Sequence, residues 1–153
     1  MAAGAALIAP LVDRLIDQFN RQSLDLPDGL FTRRTQFRLN GVAYEEMLGR
    51  SPDDPLVLML ARGPAGYRFT MKAVQHALPD ARLERGDIAG ETKDGIEIVS
   101  CEGWLSGHFR GTGEAAHVLV GFELLVRGGS VDRVDATIEP GALERLRNAR
   151  LRP

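Results

Sequence analysis

The chain has 153 residues, of which 44% are hydrophobic and 26% charged, and its formal net charge is −2. This length and composition predict a single domain, residues 1–153, with one hydrophobic core. Acidic and basic residues are interspersed, and the absence of a large basic face argues against nucleic acid as a partner. The single cysteine, Cys101, leaves no disulfide framework and no cysteine-based zinc site.

The first long segment predicts an amphipathic helix. Over residues 7–22, apolar side chains recur at i, i+3 and i+4 spacing with charged residues between them. The apolar start has neither the basic region nor the cleavage site of a signal peptide. No apolar run approaches the roughly 20 residues that span a bilayer. We therefore expect no membrane partner and a cytoplasmic location.

The middle of the chain mixes one strand with helices. Alternation predicts a short strand over 35–39, and Asn40-Gly41 after it is a strong tight-turn dipeptide. Residues 42–48 favour one or two helical turns, and 56–61 favour a short apolar helix. Residues 64–78 predict the second long helix.

The last third of the chain predicts an antiparallel meander. Apolar residues alternate along segments separated by Gly-containing turns. The predicted strands are 81–91, with a bend at Gly86, then 96–109, 117–127 and 131–138. A polar C-terminal helix follows at about 141–151. Helices followed by an antiparallel sheet indicate the α+β class.

The order of these elements resembles the nuclear transport factor 2-like superfamily and, within it, the SnoaL-like group of polyketide cyclases and ketosteroid isomerase relatives. The similarity covers residues 7–139. It rests on the Gly-Leu-Phe of 29–31, the Tyr-Arg-Phe helix ending in Leu-Pro-Asp at 78–80, and the Gly-x-x-x-Gly of 107–111. The resemblance implies a cone-shaped, cystatin-like α+β barrel, with a curved antiparallel sheet packed against the N-terminal helices. It further implies an apolar pocket and a homodimer through the convex sheet face.

The resemblance leaves two kinds of function open. One is cofactor-independent proton-transfer chemistry on a small apolar carbonyl compound: isomerisation, dehydration or cyclisation. The other is a non-catalytic ligand-binding or dimeric interaction module. Neither requires a metal, and the three histidines of the chain are scattered without i, i+4 partners.

Three residues are candidates for the chemistry. Glu123 matches the acid of the cyclases' Gly-x-Asp pattern, and a carboxylate in an apolar pocket can act as a base near neutral pH. His108 is the alternative base, although it lies one position before the family's histidine. One residue along a strand turns the side chain to the other face, and a bulge at Gly107 would turn it back. Tyr67 is the candidate hydrogen-bond donor to an oxyanion.

Each candidate also has a plainer interpretation. The face of the strand opposite Glu123 is fully apolar, from Val118 to Val126, so Glu123 can equally point outward. His108 can be a polar residue at a strand end. Tyr67 can be a core aromatic whose hydroxyl reaches a backbone group.

Six further residues are candidates for ligand contact. Aromatic and methionine side chains shape adaptable apolar pockets, although at helical and strand spacing they more often form plain core. The set also includes one polar residue, Asn40, whose alternative role is to form the Asn-Gly turn. The six are Asn40, Tyr44, Phe19, Phe37, Met71 and Trp104.

Overall fold

The computed structural model describes residues 3–51 and 53–150. In these residues the helices are α1 (Ala3–Asn20), α2 (Tyr44–Met47), α3 (Pro55–Leu60), α4 (Gly63–Ala77) and α5 (Pro140–Arg150). The strands are β1 (Phe31–Leu39), β2 (Val42–Ala43), β3 (Arg82–Arg85), β4 (Ala89–Lys93), β5 (Ile96–His108), β6 (Ala115–Arg127) and β7 (Ser130–Ile138). The predicted α+β class is confirmed.

The strands form one curved sheet that does not close into a complete barrel. Its order is β2-β1-β7-β6-β5-β3, and β4 also pairs with β5. The pairings are antiparallel except for β1 and β7, which run parallel. The sheet is thus antiparallel, as predicted, apart from the contact between its first and last long strands.

Buried residues alternate with more exposed ones along β6, and this alternation shows which face of the sheet the helices cover. Val118, Val120, Leu124 and Val126 are buried on one face, whereas the residues between them are exposed or half-buried. On the covered face α1 packs against β3, β4 and β5, and α4 packs against β1 and α5. We call this covered face the inner face and the opposite one the outer face.

Two predicted strands differ from the structure by more than two residues, whereas the other three agree within two residues at each end. The strand predicted at 35–39 begins earlier, at Phe31, because Phe31 already pairs with Val131. The strand predicted at 81–91 is divided into β3 and β4, which pair with successive halves of β5. Residues 86–88 form the break, which includes the bend expected at Gly86.

The core has a solid end and a hollow end. Phe19, Leu78, Leu105 and Phe109 pack together at the solid end. A second cluster around Leu30, Phe37, Val99 and Leu124 surrounds the hollow end. Among the described helices, none combines the length and the apolar character that crossing a bilayer requires.

Candidate ligand-binding site

An interior cavity of about 130 Å³ lies at the hollow end, between α1, α4 and the inner face of the sheet. Its wall is mostly apolar and includes Leu15, Phe31, Phe37, Met71, Phe122 and Leu124. An apolar cavity of about 150 Å³ is large enough to hold benzene. The interior cavity therefore has room for a ligand of about one aromatic ring.

Glycines at the start of α4 bring this helix close to β1. A Cβ on Gly66 would lie 2.8 Å from the Ala61 carbonyl oxygen and 3.0 Å from the Phe37 ring. Gly63 has a positive φ of 61°, and a Cβ there would lie 2.6 Å from the Thr32 carbonyl oxygen. Side chains at both positions would push α4 away, so the glycines hold the next residue, Tyr67, against the cavity.

The hydroxyl of Tyr67 is a buried polar group of this wall that has no hydrogen-bond partner. Tyr67 is 5% exposed, and its Oη is buried without a hydrogen-bond partner. Burial raises the pKa of Tyr67 far above its usual range, so the hydroxyl keeps its proton at neutral pH. A buried, unpaired donor of this kind costs about 1–3 kcal/mol. A hydroxyl in this state can pair with the acceptor atom of a small molecule.

Tyr44 also lines the cavity, but its hydroxyl is paired. Tyr44 Oη lies 2.8 Å from Thr70 Oγ1, and the Thr70 hydroxyl donates to the Gly66 carbonyl at 2.8 Å. Because a threonine hydroxyl has one proton, Tyr44 must be the donor in the contact with Thr70. The Tyr44 ring stacks on Phe37 at 5.6 Å, and burial raises the pKa of Tyr44.

An ion pair and a thiol complete the polar lining. Arg85 lines the cavity and donates to both carboxylate oxygens of Asp13. The hydrogen bond from Arg85 lowers the pKa of Asp13, which makes its carboxylate a weak base. Burial raises the pKa of Cys101, so the thiolate is disfavoured. No Asp, Glu or His side chain lines the interior cavity in the described part of the chain.

The structure brings four of the predicted site residues together around the cavity: Tyr67, Tyr44, Phe37 and Met71. Their contact with a ligand stays a prediction. Phe19 lies in the solid end of the core. Trp104 is on the outer face, where its ring stacks on His117 at 4.3 Å. Asn40 is in the turn after β1, and its Oδ1 accepts from the Ile138 amide at 2.8 Å.

Glu123 lies on the outer face of β6 and is exposed. Its neighbours across the sheet are Ser100 on β5 and Asp135 on β7. Tyr67 is on the other side of the sheet, so the predicted base and the predicted donor are not brought together around one ligand. This placement matches the alternative in which Glu123 points outward.

His108 is exposed at the end of β5 and contacts the turn after α4. Its Nδ1 lies 2.6 Å from Asp80 Oδ2, and its backbone amide donates to Asp80 Oδ1 at 2.7 Å. These hydrogen bonds lower the pKa of Asp80. The pairing of β5 with β6 continues without interruption through Gly107, so no bulge turns His108 toward the cavity.

Sequence reasoning missed Thr70 and Arg85 as parts of the wall. Thr70 had a usable signal, because it follows Tyr67 by three residues and so shares its helical face. Arg85 had none, because its partner Asp13 is 72 residues away.

No model of a known protein family matches the chain, and no curated protein matches it either. Solved structures do match. One is a candidate SnoaL-like polyketide cyclase from Jannaschia, with a TM-score of 0.67 and 12% identity over 100% of this chain and 98% of that one. The candidate polyketide cyclase IdmH from Streptomyces antibioticus matches with a TM-score of 0.61 and 18% identity over 95% and 99% of the two chains.

A third match is the hexachlorocyclohexane dehydrochlorinase LinA-type3 from Novosphingobium barchaimii. Its TM-score is 0.64 and its identity 11%, over 90% of this chain and 87% of that one. Similarity at these identities shows the fold alone. The chain thus has the fold of the SnoaL-like proteins and their dehydrochlorinase neighbour, which confirms the fold implied by the sequence resemblance.

Proposed function

We propose that the interior cavity binds a small, mostly apolar organic molecule that carries a hydrogen-bond acceptor. The observation that carries this proposal is the buried Tyr67 hydroxyl, which faces an apolar cavity without a partner. Buried polar groups are nearly always paired. A ligand carbonyl or ether oxygen beside Tyr67 would complete the pairing, while the surrounding aromatic and aliphatic side chains would hold the rest of the molecule.

The lining favours binding over turnover. Proton abstraction requires a base within hydrogen-bond reach of the substrate. Asp13 is the carboxylate that contacts this wall, and its pairing with Arg85 lowers its pKa. A ligand held by Tyr67 therefore meets donors and apolar groups but no effective base among the described lining residues.

Isomerisation, dehydration or cyclisation is the second candidate function. It is favoured by the matching structures, which include candidate cyclases and a dehydrochlorinase. One scaffold often hosts unrelated functions, so this support is an analogy of fold. In this chain the chemistry would need Asp13 to be released from Arg85.

The binding proposal is tested with acetophenone and ethylbenzene, which have similar shapes but differ in the carbonyl acceptor. We expect wild-type protein to bind acetophenone more tightly, by about 2- to 12-fold, the equivalent of one net hydrogen bond of about 0.5–1.5 kcal/mol. The variant Tyr67→Phe should remove that preference while still binding ethylbenzene. Affinities are measured by NMR titration of labelled protein.

Two results would contradict the proposal. One is the absence of acetophenone binding at its solubility limit. The other is an unchanged preference for acetophenone in Tyr67→Phe, because the acceptor would then be recognised elsewhere.

We further propose that the outer face binds a second copy of the chain. Trp104 and Leu119 are directly paired across β5 and β6, and they are 42% and 41% exposed. Together with the His117 ring stacked on Trp104, they form an apolar patch of the kind that protein interfaces cover. Cytoplasmic location and single-domain organisation stay predictions from the sequence.

A further inference from the structure

A second, larger space lies outside the interior cavity. It is a groove of about 410 Å³ beside α2, α4 and α5, which we call the outer groove. Its lining is mostly apolar and includes Leu48, Leu60, Val74 and Leu146. Tyr44 and Thr70 line both the outer groove and the interior cavity. These two side chains are therefore a shared wall between the two spaces.

Building on the proposed function, we propose that the outer groove and the interior cavity form one binding site for an elongated, amphipathic keto acid. Its inner acceptor pairs with Tyr67, its apolar chain passes Tyr44 and Thr70, and its acidic group reaches Arg147 at the groove. The Tyr44 side chain is the movable part of the wall.

Helix α4 provides a continuous surface from one space to the other. Tyr67, Thr70 and Val74 follow at i, i+3 and i+7, so they lie on one stripe of the helix. Tyr67 lines the cavity, Thr70 lines both spaces, and Val74 lines the groove. The helix rises by about 10 Å from Tyr67 to Val74, roughly the length of a chain of eight to ten carbons.

The lining of the outer groove indicates which kind of molecule extends into it. Leu48 and Leu60 are about half exposed, and burying such groups is favourable by about 25 cal/mol per Å². Arg147 also lines the groove and has no ion pair among the described residues. An apolar groove that contains a cation without an ion-pair partner among the described residues is complementary to an amphipathic anion.

The wall between the two spaces can open at a cost that the bound chain repays. Thr70 keeps its hydrogen bond to the Gly66 carbonyl when Tyr44 moves away. Displacing Tyr44 therefore breaks its hydrogen bond to Thr70 Oγ1 and its stacking contact with Phe37, and the freed hydroxyl can turn to solvent in the groove. A net loss of about 1–3 kcal/mol for the two contacts together is within the binding energy of an apolar chain.

The test compares three probes by isothermal titration calorimetry: 9-oxodecanoate, decanoate without the ketone, and 2-decanone without the acid. We expect 9-oxodecanoate to bind most tightly. Tyr67→Phe should lower its affinity to that of decanoate. Arg147→Gln should lower it by about threefold, the range of an exposed charge pair, and should leave 2-decanone unchanged.

Two further variants probe the groove and the wall. Ala73→Trp fills the groove, because Ala73 lines that space and is absent from the cavity lining. It should abolish 9-oxodecanoate binding but leave acetophenone binding intact, which also shows that the variant is folded. Tyr44→Phe removes the hydrogen bond that must break, so it should tighten 9-oxodecanoate by about 2- to 10-fold.

The outcomes separate this inference from the proposed function. If acetophenone binds but 9-oxodecanoate is insensitive to Ala73→Trp and Arg147→Gln, the two-space site is overturned and the cavity proposal remains. If 9-oxodecanoate responds to Ala73→Trp but not to Tyr67→Phe, the ligand occupies the groove alone, which also overturns it. If acetophenone itself does not bind, the proposed function is contradicted.

Discussion

Two tyrosines line the same cavity, and the hydroxyl of one is hydrogen-bonded whereas that of the other is not. The hydroxyl of Tyr67 has no partner, whereas the hydroxyl of Tyr44 donates to Thr70 at 2.8 Å. Both rings are packed against aromatic neighbours, Tyr67 on Phe31 and Tyr44 on Phe37. Removing the two oxygens should therefore have opposite effects on the free energy of unfolding.

We predict that Tyr67→Phe stabilises the ligand-free protein by about 1 kcal/mol, because it removes a buried donor without a partner. Tyr44→Phe should destabilise it by about 1 kcal/mol, because it removes a formed hydrogen bond. Urea unfolding of both variants and wild type measures the difference. Equal destabilisation by the two substitutions would mean that the Tyr67 hydroxyl is paired. If Tyr67→Phe is more stable than wild type, the Tyr67 hydroxyl lowers stability while it provides a binding group, as is common at functional sites.

At the level of elements, an ion pair between the buried Glu45 and the partly buried Arg62 connects α2 and β1 to the start of α4. Glu45 on α2 is 2% exposed, and its Oε1 accepts from Arg62 at 2.8 Å and from Gln36 at 3.0 Å. Burial acts to raise the pKa of Glu45, but the hydrogen bonds from its own backbone, Gln36 and Arg62 outweigh it and lower that pKa. This pair holds the short helix that carries Tyr44.

We predict that Glu45→Gln destabilises the protein by about 1.5–3 kcal/mol, because it leaves the partly buried Arg62 charge without its counterion. The control is Arg21→Gln, which breaks the exposed pair between Arg21 and Asp17 on α1. Exposed pairs contribute about 1 kcal/mol or less. Urea unfolding measures both variants. A loss at Glu45 no larger than that of the control would contradict a buried, structural ion pair.

The same pair predicts a dependence of stability on pH. The pKa of Glu45 is lowered in the folded protein, so its contribution is present above the unfolded pKa of about 4.3. It is lost as the pH falls through the folded pKa. The gap in unfolding free energy between wild type and Glu45→Gln should therefore be full at pH 7 and should begin to narrow as the pH falls below about 4.3. A gap that stays constant from pH 7 to pH 3 would show that Glu45 ionisation does not stabilise the fold.

At the scale of the whole molecule, the helices cover the inner face and leave Trp104 on the outer face. We predict that wild-type protein is a dimer and that Trp104→Glu shifts it to monomer, because a charge would be buried at the interface. Leu7→Glu is the matched control, since Leu7 is 64% exposed on α1 and lies on the helical side. Sedimentation velocity measures the mass of each. A monomeric wild type, or equal effects of the two substitutions, would contradict the outer face as the interface.

The fold could be predicted largely from sequence because its strands alternate with a period of two and its long helices with a period near 3.6. The direction of β1 could not, because its partner β7 is about 100 residues away and leaves no local pattern. For the same reason the inner and outer faces of β6 stayed ambiguous. The alternation placed Glu123 opposite Phe122 and Leu124, but only the packing of α1 and α4 shows which side is covered.

The sequence predicted those residues of the candidate site whose side-chain type alone indicates that they line a cavity. Phe37, Met71 and the two tyrosines are large and apolar in body, so a place around a cavity was expected of them from residue type. The pairing state of each tyrosine hydroxyl depends on a partner in three dimensions, such as Thr70 for Tyr44. No spacing rule specifies that partner, so the sequence could name Tyr67 as a candidate donor, but only the structure shows that its hydroxyl has no partner.

The parallel contact between β1 and β7 has a consequence for how the chain is made. The Thr35 hydroxyl on β1 donates to the Val131 carbonyl at 2.6 Å, and the Asn40 side chain accepts from Ile138. During translation, the edge of β1 that β7 will cover stays open until Ser130–Ile138 has left the ribosome. Long-range pairings of this kind slow folding and leave strand edges open to other chains. The nascent chain is thus most vulnerable to aggregation before its last strand emerges, and chaperone binding to the 31–39 segment should be strongest in that interval.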